Sequence, residues 1–248
     1  MAAPAAPDPW VAGRRPNPQA RLRLFCFPYA GGSAALFRAW PDALPGTVEV
    51  CPMQLPGRGA RLIEPPFTRL SPLVRTLAQA LVPYFDKPFA FFGHSMGALV
   101  GFELARQLRR QHGREPACLF VSAHPAPQLP HTGSSLHTLP EREFLEKLRR
   151  LGGTPQEVLG HEELMQLLLP TLRADFSVYE TYAYSPDLPL SCPISAFGGL
   201  QDRGVSRGDL DAWRAQTSAS FSLRRLPGDH FFLNTAQPLF LQTLAQEL

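Results

Sequence analysis

FAFFGHSMGALVGFELARQL, residues 89–108, joins an apolar run, a tight glycine–serine turn and a stretch of helical periodicity. The apolar run predicts a buried strand, and the residues after Ser95 predict a helix over 96–112 that ends in a basic turn before Gly113. A serine at the tip of so tight a turn is held in a strained backbone, and side chains at Gly93 or Gly97 would collide with the adjoining strand and helix. We therefore predict that Ser95 is a nucleophile. The alternative is a glycine-rich turn with a structural serine.

Five more short apolar runs follow the same pattern along the chain. They are RLRLFCF (21–27), VEVCPM (48–53), ACLFVS (117–122), ISAFGG (194–199) and SLRRLP (222–227). Helical periodicity separates several of them, as over residues 70–84. Strands that alternate with helices predict an α/β fold, with a mostly parallel sheet covered on both faces.

The chain divides into three parts by composition. Residues 1–20 are rich in Ala and Pro without periodicity, which predicts a mobile leader before a single domain over 21–248. No strand is predicted over about 125–186, where helical stretches at 141–150 and 162–184 form an insertion, with Pro170 starting a new turn. Because the insertion precedes a core strand on the ligand side of such a sheet, we interpret it as a lid. An ordinary pair of packing helices is the alternative.

Charge and composition exclude several classes of protein. The chain has 248 residues, of which 44% are hydrophobic and 18% charged, and its net charge of +3 does not favour nucleic-acid binding. No apolar run reaches the roughly 20 residues of a membrane span, and no signal-peptide pattern is present. The four cysteines are far apart and the histidines lack ligand spacing, so we expect reduced buried thiols, no metal and no cofactor. These patterns predict a cytoplasmic monomer that binds neither membrane nor nucleic acid.

A nucleophilic serine needs a base and an acid, and in this architecture they follow it in the order acid, then histidine. His230 follows the last predicted strand, and we predict it as the base rather than as a surface histidine. Asp202 follows the strand before it, where its side chain can reach His230 and fix the imidazole tautomer. Asp209 and Asp211 fall in the next helix. Asp229 adjoins the histidine, and we expect it to fix the turn.

Stabilisation of a tetrahedral oxyanion requires two backbone N–H donors. Met96, directly after the serine, is the first candidate, and Ala30 or Tyr29 in the Gly-rich loop after residues 21–27 is the second, with Ala30 preferred. In the lid, Met165 and Phe176 are predicted to line an apolar ligand channel. At strand ends, Arg58 and Arg203 are candidates for contact with an acidic partner, although both could instead pair locally.

Six motifs extend the pattern over nearly the whole domain. They are FCFPYAGGSA (25–34), LPGRGAR (55–61), FFGHSMGALVGFELAR (91–106), LGGTP (151–155), LPTLRADF (169–176) and GDHFFL (228–233). In this order they resemble the type II thioesterases of polyketide and nonribosomal peptide biosynthesis, and the related medium-chain acyl thioesterases of fatty acid synthesis. LGGTP and the Pro-x-x-Arg-Ala-Asp pattern that ends at Asp175 make the resemblance specific, because unrelated hydrolases share nothing in the lid.

The resemblance implies an α/β-hydrolase fold with Ser95, Asp202 and His230 as its catalytic triad. It also implies hydrolysis of acyl or aminoacyl thioesters on the phosphopantetheine arm of an acyl or peptidyl carrier protein, without metal or cofactor. Asp229 stands where relatives often have glycine, which affects only the loop. Two alternatives remain: a carboxylesterase or lipase with the same triad, and a catalytically dead scaffold used for binding.

Overall fold

The computed structural model describes residues 8–130, 133 and 135–248, and its centre is a six-stranded sheet. The strands are β1 (Leu22–Phe27), β2 (Val48–Pro52), β3 (Phe89–His94), β4 (Leu119–Ser122), β5 (Ile194–Gly199) and β6 (Phe221–Leu226). They lie in the order β2-β1-β3-β4-β5-β6, and every neighbouring pair is parallel. All six predicted strands are confirmed. Because the strands are parallel, their carboxyl ends meet along one edge of the sheet.

The sheet is apolar on both faces because both faces are covered. Alternate side chains of β1 and β3 divide between two clusters: Phe91 packs in one beneath the helix Met96–His112, and Phe92 packs in the other with Trp40 and Phe240. The four central strands β1, β3, β4 and β5 are therefore almost completely buried, which explains their continuous apolar sequences. This packing holds the strand ends, and the loops that follow them, in fixed positions.

The helices connect the strands and cover the sheet. They are α1 (Trp40–Ala43), α2 (Leu70–Ala80), α3 (Met96–His112), α4 (Glu141–Leu151), α5 (Gln156–Leu159), α6 (Glu162–Glu180), α7 (Arg207–Asp211), α8 (Phe232–Thr235) and α9 (Gln237–Ala245). The helix predicted over 96–112 is confirmed, and Gly113 ends it in the left-handed conformation. The helix predicted over 70–84 ends at Ala80, and a 3-10 turn covers Val82–Tyr84. Pro83 explains the change, because it has no N–H to continue the helix.

The predicted insertion is helical and lies between β4 and β5, and we keep the name lid for residues 125–186. Its 3-10 turn Leu136–Thr138 and its helices α4, α5 and α6 share an apolar cluster that includes Phe144 and Leu172. The prediction that Pro170 starts a new turn is wrong, because α6 continues through it. Pro170 leaves the carbonyl of Gln166 without a helical donor, but both residues are exposed and water can satisfy it.

The mobile leader predicted over 1–20 is wrong for residues 8–20, while residues 1–7 lie outside the described part of the chain. Val11 is buried and pairs with Met53 in an antiparallel bridge, and the Tyr84 hydroxyl donates to Asp8. The Arg61 guanidinium lies 3.9 Å from the ring centroid of Trp10. Composition alone suggested disorder because the few apolar residues of this segment show no periodicity. These apolar residues pack against the rest of the domain instead.

The four cysteines are free thiols, and three of them are buried, namely Cys26, Cys51 and Cys192. Burial raises the pKa of Cys51 to about 12, so this thiol is protonated at neutral pH. Among the described helices, none is long and apolar enough to cross a membrane.

Candidate active site

Ser95 occupies the turn between β3 and α3, at the carboxyl edge of the sheet. Its φ of 53° and ψ of −120° form a strained conformation for a residue with a side chain, and its N–H donates to the Ser122 carbonyl at 2.7 Å. A Cβ at Gly93 would lie 2.1 Å from the Gly97 carbonyl oxygen, and a Cβ at Gly97 would lie 2.2 Å from the Phe27 carbonyl oxygen. These distances confirm that neither glycine could carry a side chain. The turn therefore holds Ser95 with its backbone fixed on both sides.

Asp202 and His230 meet at the same edge of the sheet. Asp202 follows β5 and His230 follows β6, and Asp202 Oδ2 lies 2.9 Å from His230 Nδ1. The other carboxylate oxygen of Asp202 accepts the N–H groups of Gly204 and Val205. Burial alone would raise the pKa of Asp202, but these hydrogen bonds and the His230 ring outweigh it and lower that pKa. Asp202 is therefore ionised at neutral pH and suited to hold the imidazole with its Nδ1 protonated.

The other candidate carboxylates have local partners. Asp209 forms a capping box with Ser206 at the start of α7, and Asp211 pairs with Arg214 on the surface. Asp229 Oδ1 accepts the Phe231 N–H at 2.8 Å, so Asp229 fixes the turn, as predicted. Of the four carboxylates considered, Asp202 is the one in contact with His230.

The N–H of Met96 and that of either Ala30 or Tyr29 remain candidates for an oxyanion hole, with Ala30 preferred. Met96 is the first residue of α3, where a backbone N–H has no acceptor within the helix. In the loop after β1, Gly32 donates to the Tyr29 carbonyl, and Gly31 donates to Asp175 Oδ2 of the lid at 2.7 Å. Among the described residues, none accepts a hydrogen bond from Ala30. Ala30 therefore keeps a free donor beside the two that its neighbours have used.

A cavity of about 380 Å³ extends from this loop beneath the lid. On one side the loop from Tyr29 to Ser33 lines it, and on the other lie lid residues Gly153, Thr154, Pro155, Val158, Leu168, Thr171 and Leu172. The sequence choice of Met165 and Phe176 is wrong for this cavity. Both are buried in the apolar cluster of the lid, where Phe176 packs edge-on against Phe144. The lid needs its most inward side chains for its own core, which a helical pattern does not distinguish from a channel lining.

Comparison with known proteins gives the family of this arrangement. The thioesterase domain family matches residues 22–248. This chain belongs to the thioesterase family. It is 48% identical to the linear gramicidin dehydrogenase LgrE of Brevibacillus parabrevis over 98% of this chain and 94% of that one. It is 40% identical to the thioesterase PikA5 of Streptomyces venezuelae over 91% of this chain and 80% of that one.

A solved structure shows the same fold. RedJ, a thioesterase from the prodiginine biosynthetic pathway of Streptomyces coelicolor, is 42% identical and superposes with a TM-score of 0.87, covering 100% of this chain and 96% of RedJ. The predicted α/β-hydrolase fold and the predicted family are confirmed. The thioesterase is thus a hydrolase that acts on thioesters.

Arg58 does not lie on the surface of the thioesterase, and its prediction as a partner contact is wrong. It is 4% exposed and pairs through two nitrogens with the Asp175 carboxylate, at 2.6 and 2.7 Å. It also donates to the Gly32 carbonyl. Its buried pair therefore joins the lid helix α6 to the loop that carries Ala30. Arg203 is exposed beside Asp202, where the prediction stands.

Sequence reasoning missed His94, the residue before the nucleophile in the thioesterase. Its ring is fully buried, with Nδ1 2.9 Å from Ser122 Oγ, and it packs edge-on against His230 with ring centroids 5.5 Å apart. Burial lowers the pKa of His94, and the nearby His230 lowers it further. A neutral imidazole here adds no charge beside the candidate base. Its position inside the G-x-S-x-G motif was the available signal.

Proposed function

We propose that the thioesterase hydrolyses acyl or aminoacyl thioesters on the phosphopantetheine arm of a carrier protein, in polyketide or nonribosomal peptide biosynthesis. The observation that carries the proposal is the hydrogen-bonded Asp202–His230 pair, placed at the same sheet edge as the strained Ser95. Free N–H donors and an apolar cavity adjoin that edge. A role in a biosynthetic pathway is supported by the similarity to the thioesterase PikA5 and to RedJ, a thioesterase from the prodiginine biosynthetic pathway.

The proposed reaction has two halves. Ser95 Oγ attacks the thioester carbonyl carbon while His230 Nε2 takes the hydroxyl proton, and the N–H groups of Met96 and Ala30 stabilise the oxyanion. The C–S bond then breaks, and His230 gives its proton to the leaving thiolate. In the second half water attacks the acyl-enzyme with His230 as base, and the proton returns to Ser95 Oγ as the acid leaves. Asp202 stabilises the imidazolium in each half and keeps its own charge.

The substrate and its partner fit the surroundings of this site. The lining of the cavity is largely apolar, which suits an acyl chain that extends from Ser95 beneath the lid. Exposed Arg203, next to Asp202, is suited to contact an acidic carrier protein or the phosphate of its arm. The enzyme would act as a cytoplasmic monomer, and its four free thiols are consistent with a reducing compartment.

The central test compares wild type with Ser95→Ala in hydrolysis of acylated carrier protein, monitored by release of the phosphopantetheine thiol. The variant should lose at least 99% of the activity, because the nucleophile is removed, and it should retain its fold, because the change deletes a single hydroxyl from a half-buried side chain. A fluorophosphonate should label the wild type and leave the variant unlabelled. Activity of Ser95→Ala above a few per cent would rule out this nucleophile.

The acid has a matched control, Asp229, in the neighbouring loop at the same edge of the sheet. Asp202→Asn should lower kcat by several orders of magnitude, since Asn favours the wrong histidine tautomer. Asp229→Asn should cost no more than about tenfold, because its carboxylate only closes a turn. A larger fall in kcat in Asp229→Asn than in Asp202→Asn would mean that Asp229 is the acid of the triad and that Asp202 has the structural role.

Substrate class can be decided on the same preparation. A higher kcat/KM for the thioester on acylated carrier protein than for p-nitrophenyl esters supports a thioesterase. The reverse order supports a carboxylesterase. Because LgrE is named a dehydrogenase, NADPH consumption with the same acyl carrier protein should be measured in parallel. Because reduction of the thioester to an aldehyde also releases the thiol, thiol release matched by NADPH consumption, with an aldehyde rather than a carboxylic acid as product, would contradict the proposal.

A further inference from the structure

The LGGTP motif of the lid meets the GDHFFL motif of the site at one contact. A Cβ on Gly153 would lie 2.5 Å from Cζ of Phe231 and 3.0 Å from its Cε1, so the backbone of Gly153 lies directly against this ring. The φ of Gly153 is in the ordinary range, so backbone conformation does not require glycine here. Instead, the close approach of the Gly153 backbone to the Phe231 ring favours glycine at this position.

Phe231 connects this lid contact to the candidate base. It is the residue after His230, and the two ring centroids lie 5.1 Å apart in an edge-on arrangement. Phe231 also packs edge-on against Tyr29, with ring centroids 5.1 Å apart, and in a tilted arrangement against His94, with centroids 6.2 Å apart. A displaced Phe231 ring would therefore press on groups that surround His230 or on the loop that carries Ala30.

Two residues of this group also line the cavity beneath the lid. Gly153 and Tyr29 both line the cavity, one from the lid and one from the loop after β1, and both touch Phe231. We name these three residues the lid seat. Gly153 and Phe231 are both half-buried, but a methyl group at position 153 would lie 2.5 Å from the Phe231 ring, so it must move either the lid or the ring.

We propose that the lid seat is a positioning device for the proposed reaction: Gly153 lets the lid close against Phe231, and that contact holds the His230 loop in its reactive position. The inference rests on the proposed function of His230 as base. It assigns to the LGGTP motif a role in catalysis, and to Phe231 a role that acts through its neighbour rather than on the substrate.

A size-exchange cycle tests the proposal. Gly153→Ala should lower kcat on a short N-acetylcysteamine thioester about tenfold with little change in KM, because the base is disturbed rather than the acyl site. Phe231→Leu should cost about threefold, since it loses ring contacts but keeps an apolar side chain. The double variant should be no slower than Phe231→Leu alone, because the shorter side chain makes room for the methyl group.

Gly160→Ala is the matched control in the same lid segment. A Cβ there would have no neighbour nearer than 3.4 Å, and its φ of −85° suits any residue, so kcat should remain within twofold of wild type. The rate of fluorophosphonate labelling of Ser95 should follow kcat in all four variants, since that rate depends on the base and not on acyl binding.

The outcomes separate this proposal from the proposed function. Losses that multiply in the double variant, or a Gly153→Ala enzyme as fast as wild type, would overturn the lid seat while wild-type hydrolysis still supports the thioesterase. A rise in KM with kcat unchanged would also overturn it, because the contact would then only shape the cavity. Thermal unfolding of each variant within a few degrees of wild type shows that the comparison is between folded enzymes.

Discussion

The two ends of the lid are attached to the domain in different ways. Helix α6 is joined by buried polar contacts: Asp175 binds Arg58 and Gly31, and the Thr171 hydroxyl donates to the Gly57 carbonyl at 2.6 Å. Residues 141–160, which contain α4 and α5, are mostly exposed, with Phe144, Leu148 and Leu159 as their buried apolar side chains. This segment meets the site through apolar contacts, among them the one between Gly153 and Phe231.

This difference teaches which part of the lid can move. Separating α6 from the domain would leave a buried ion pair unpaired, whereas lifting residues 141–160 exposes a few apolar side chains. We therefore expect α6 to act as a fixed wall of the cavity and residues 141–160 to act as its movable part.

The largest effect is expected at the fixed attachment. Asp175→Asn leaves the buried Arg58 without a counter-charge, so the free energy of unfolding should fall by about 3 kcal/mol or more. Urea denaturation measures it. Glu146→Gln breaks an exposed pair with Arg142 on α4 and should change stability by less than about 0.5 kcal/mol. Equal losses in the two variants would remove the distinction between the two attachments.

The next effect concerns local opening. Amide hydrogens of residues 141–160 should exchange at least about ten times faster than those in the middle of α6, because opening this segment exposes little apolar surface. Hydrogen exchange followed by mass spectrometry measures this. Uniform protection across the lid would mean that it opens as one body.

Selectivity should distinguish the wall from the core of the lid. Leu168 lines the cavity, while Met165, one turn earlier on α6, is buried in the lid cluster. Leu168→Ala should change the preference between acyl lengths by about tenfold, since one or two methylenes in an apolar pocket contribute about 1–3 kcal/mol. Met165→Ala should lower stability and leave the length profile unchanged. A shifted profile in Met165→Ala alone would place the acyl chain inside the lid cluster.

The smallest effect is expected outside the lid, in the loop that holds the acid. The pKa of Asp202 is lower in the folded protein, so its ionisation favours folding above the pKa of the unfolded chain, about 3.9, and this contribution is lost as pH falls through the folded value. The stability gap between wild type and Asp202→Asn should be constant from pH 7 to 5 and shrink below about pH 4. Urea denaturation at several pH values measures this difference in the free energy of unfolding. A difference as large at pH 3 as at pH 7 would contradict a lowered pKa for Asp202.

Local patterns were sufficient to predict much of this molecule. The six strands follow from short runs that are rich in apolar residues, and the turn at Ser95 follows from two glycines whose neighbours leave no space for a side chain. Asp202 and His230 could be chosen from their order, because the carboxyl ends of adjacent parallel strands must meet. Each of these inferences needs only residues that are near in sequence or related by the sheet.

Long-range contacts were the part that sequence could not supply. Arg58 and Asp175 are 117 residues apart, and nothing local distinguishes a buried pair from two surface charges. Met165 and Leu168 show the same limit, since both are apolar residues of one helix and only packing decides which meets the cavity. The N-terminal segment was misjudged for a similar reason, because Val11 and Trp10 find their partners at residues 53 and 61.

That N-terminal segment also has a consequence for how copies of the enzyme meet one another. The edge strands β2 and β6 each have one open side, and an open side can pair with another chain and lead to aggregation. At β2, residues 10–12 pair with residues 52–54 and so occupy the end of that edge. At β6, the exposed Arg224 places a charge on the edge instead. A variant that lacks residues 1–20 would keep Arg224 but lose the segment that covers β2. Its solubility would then depend on one protected edge rather than two.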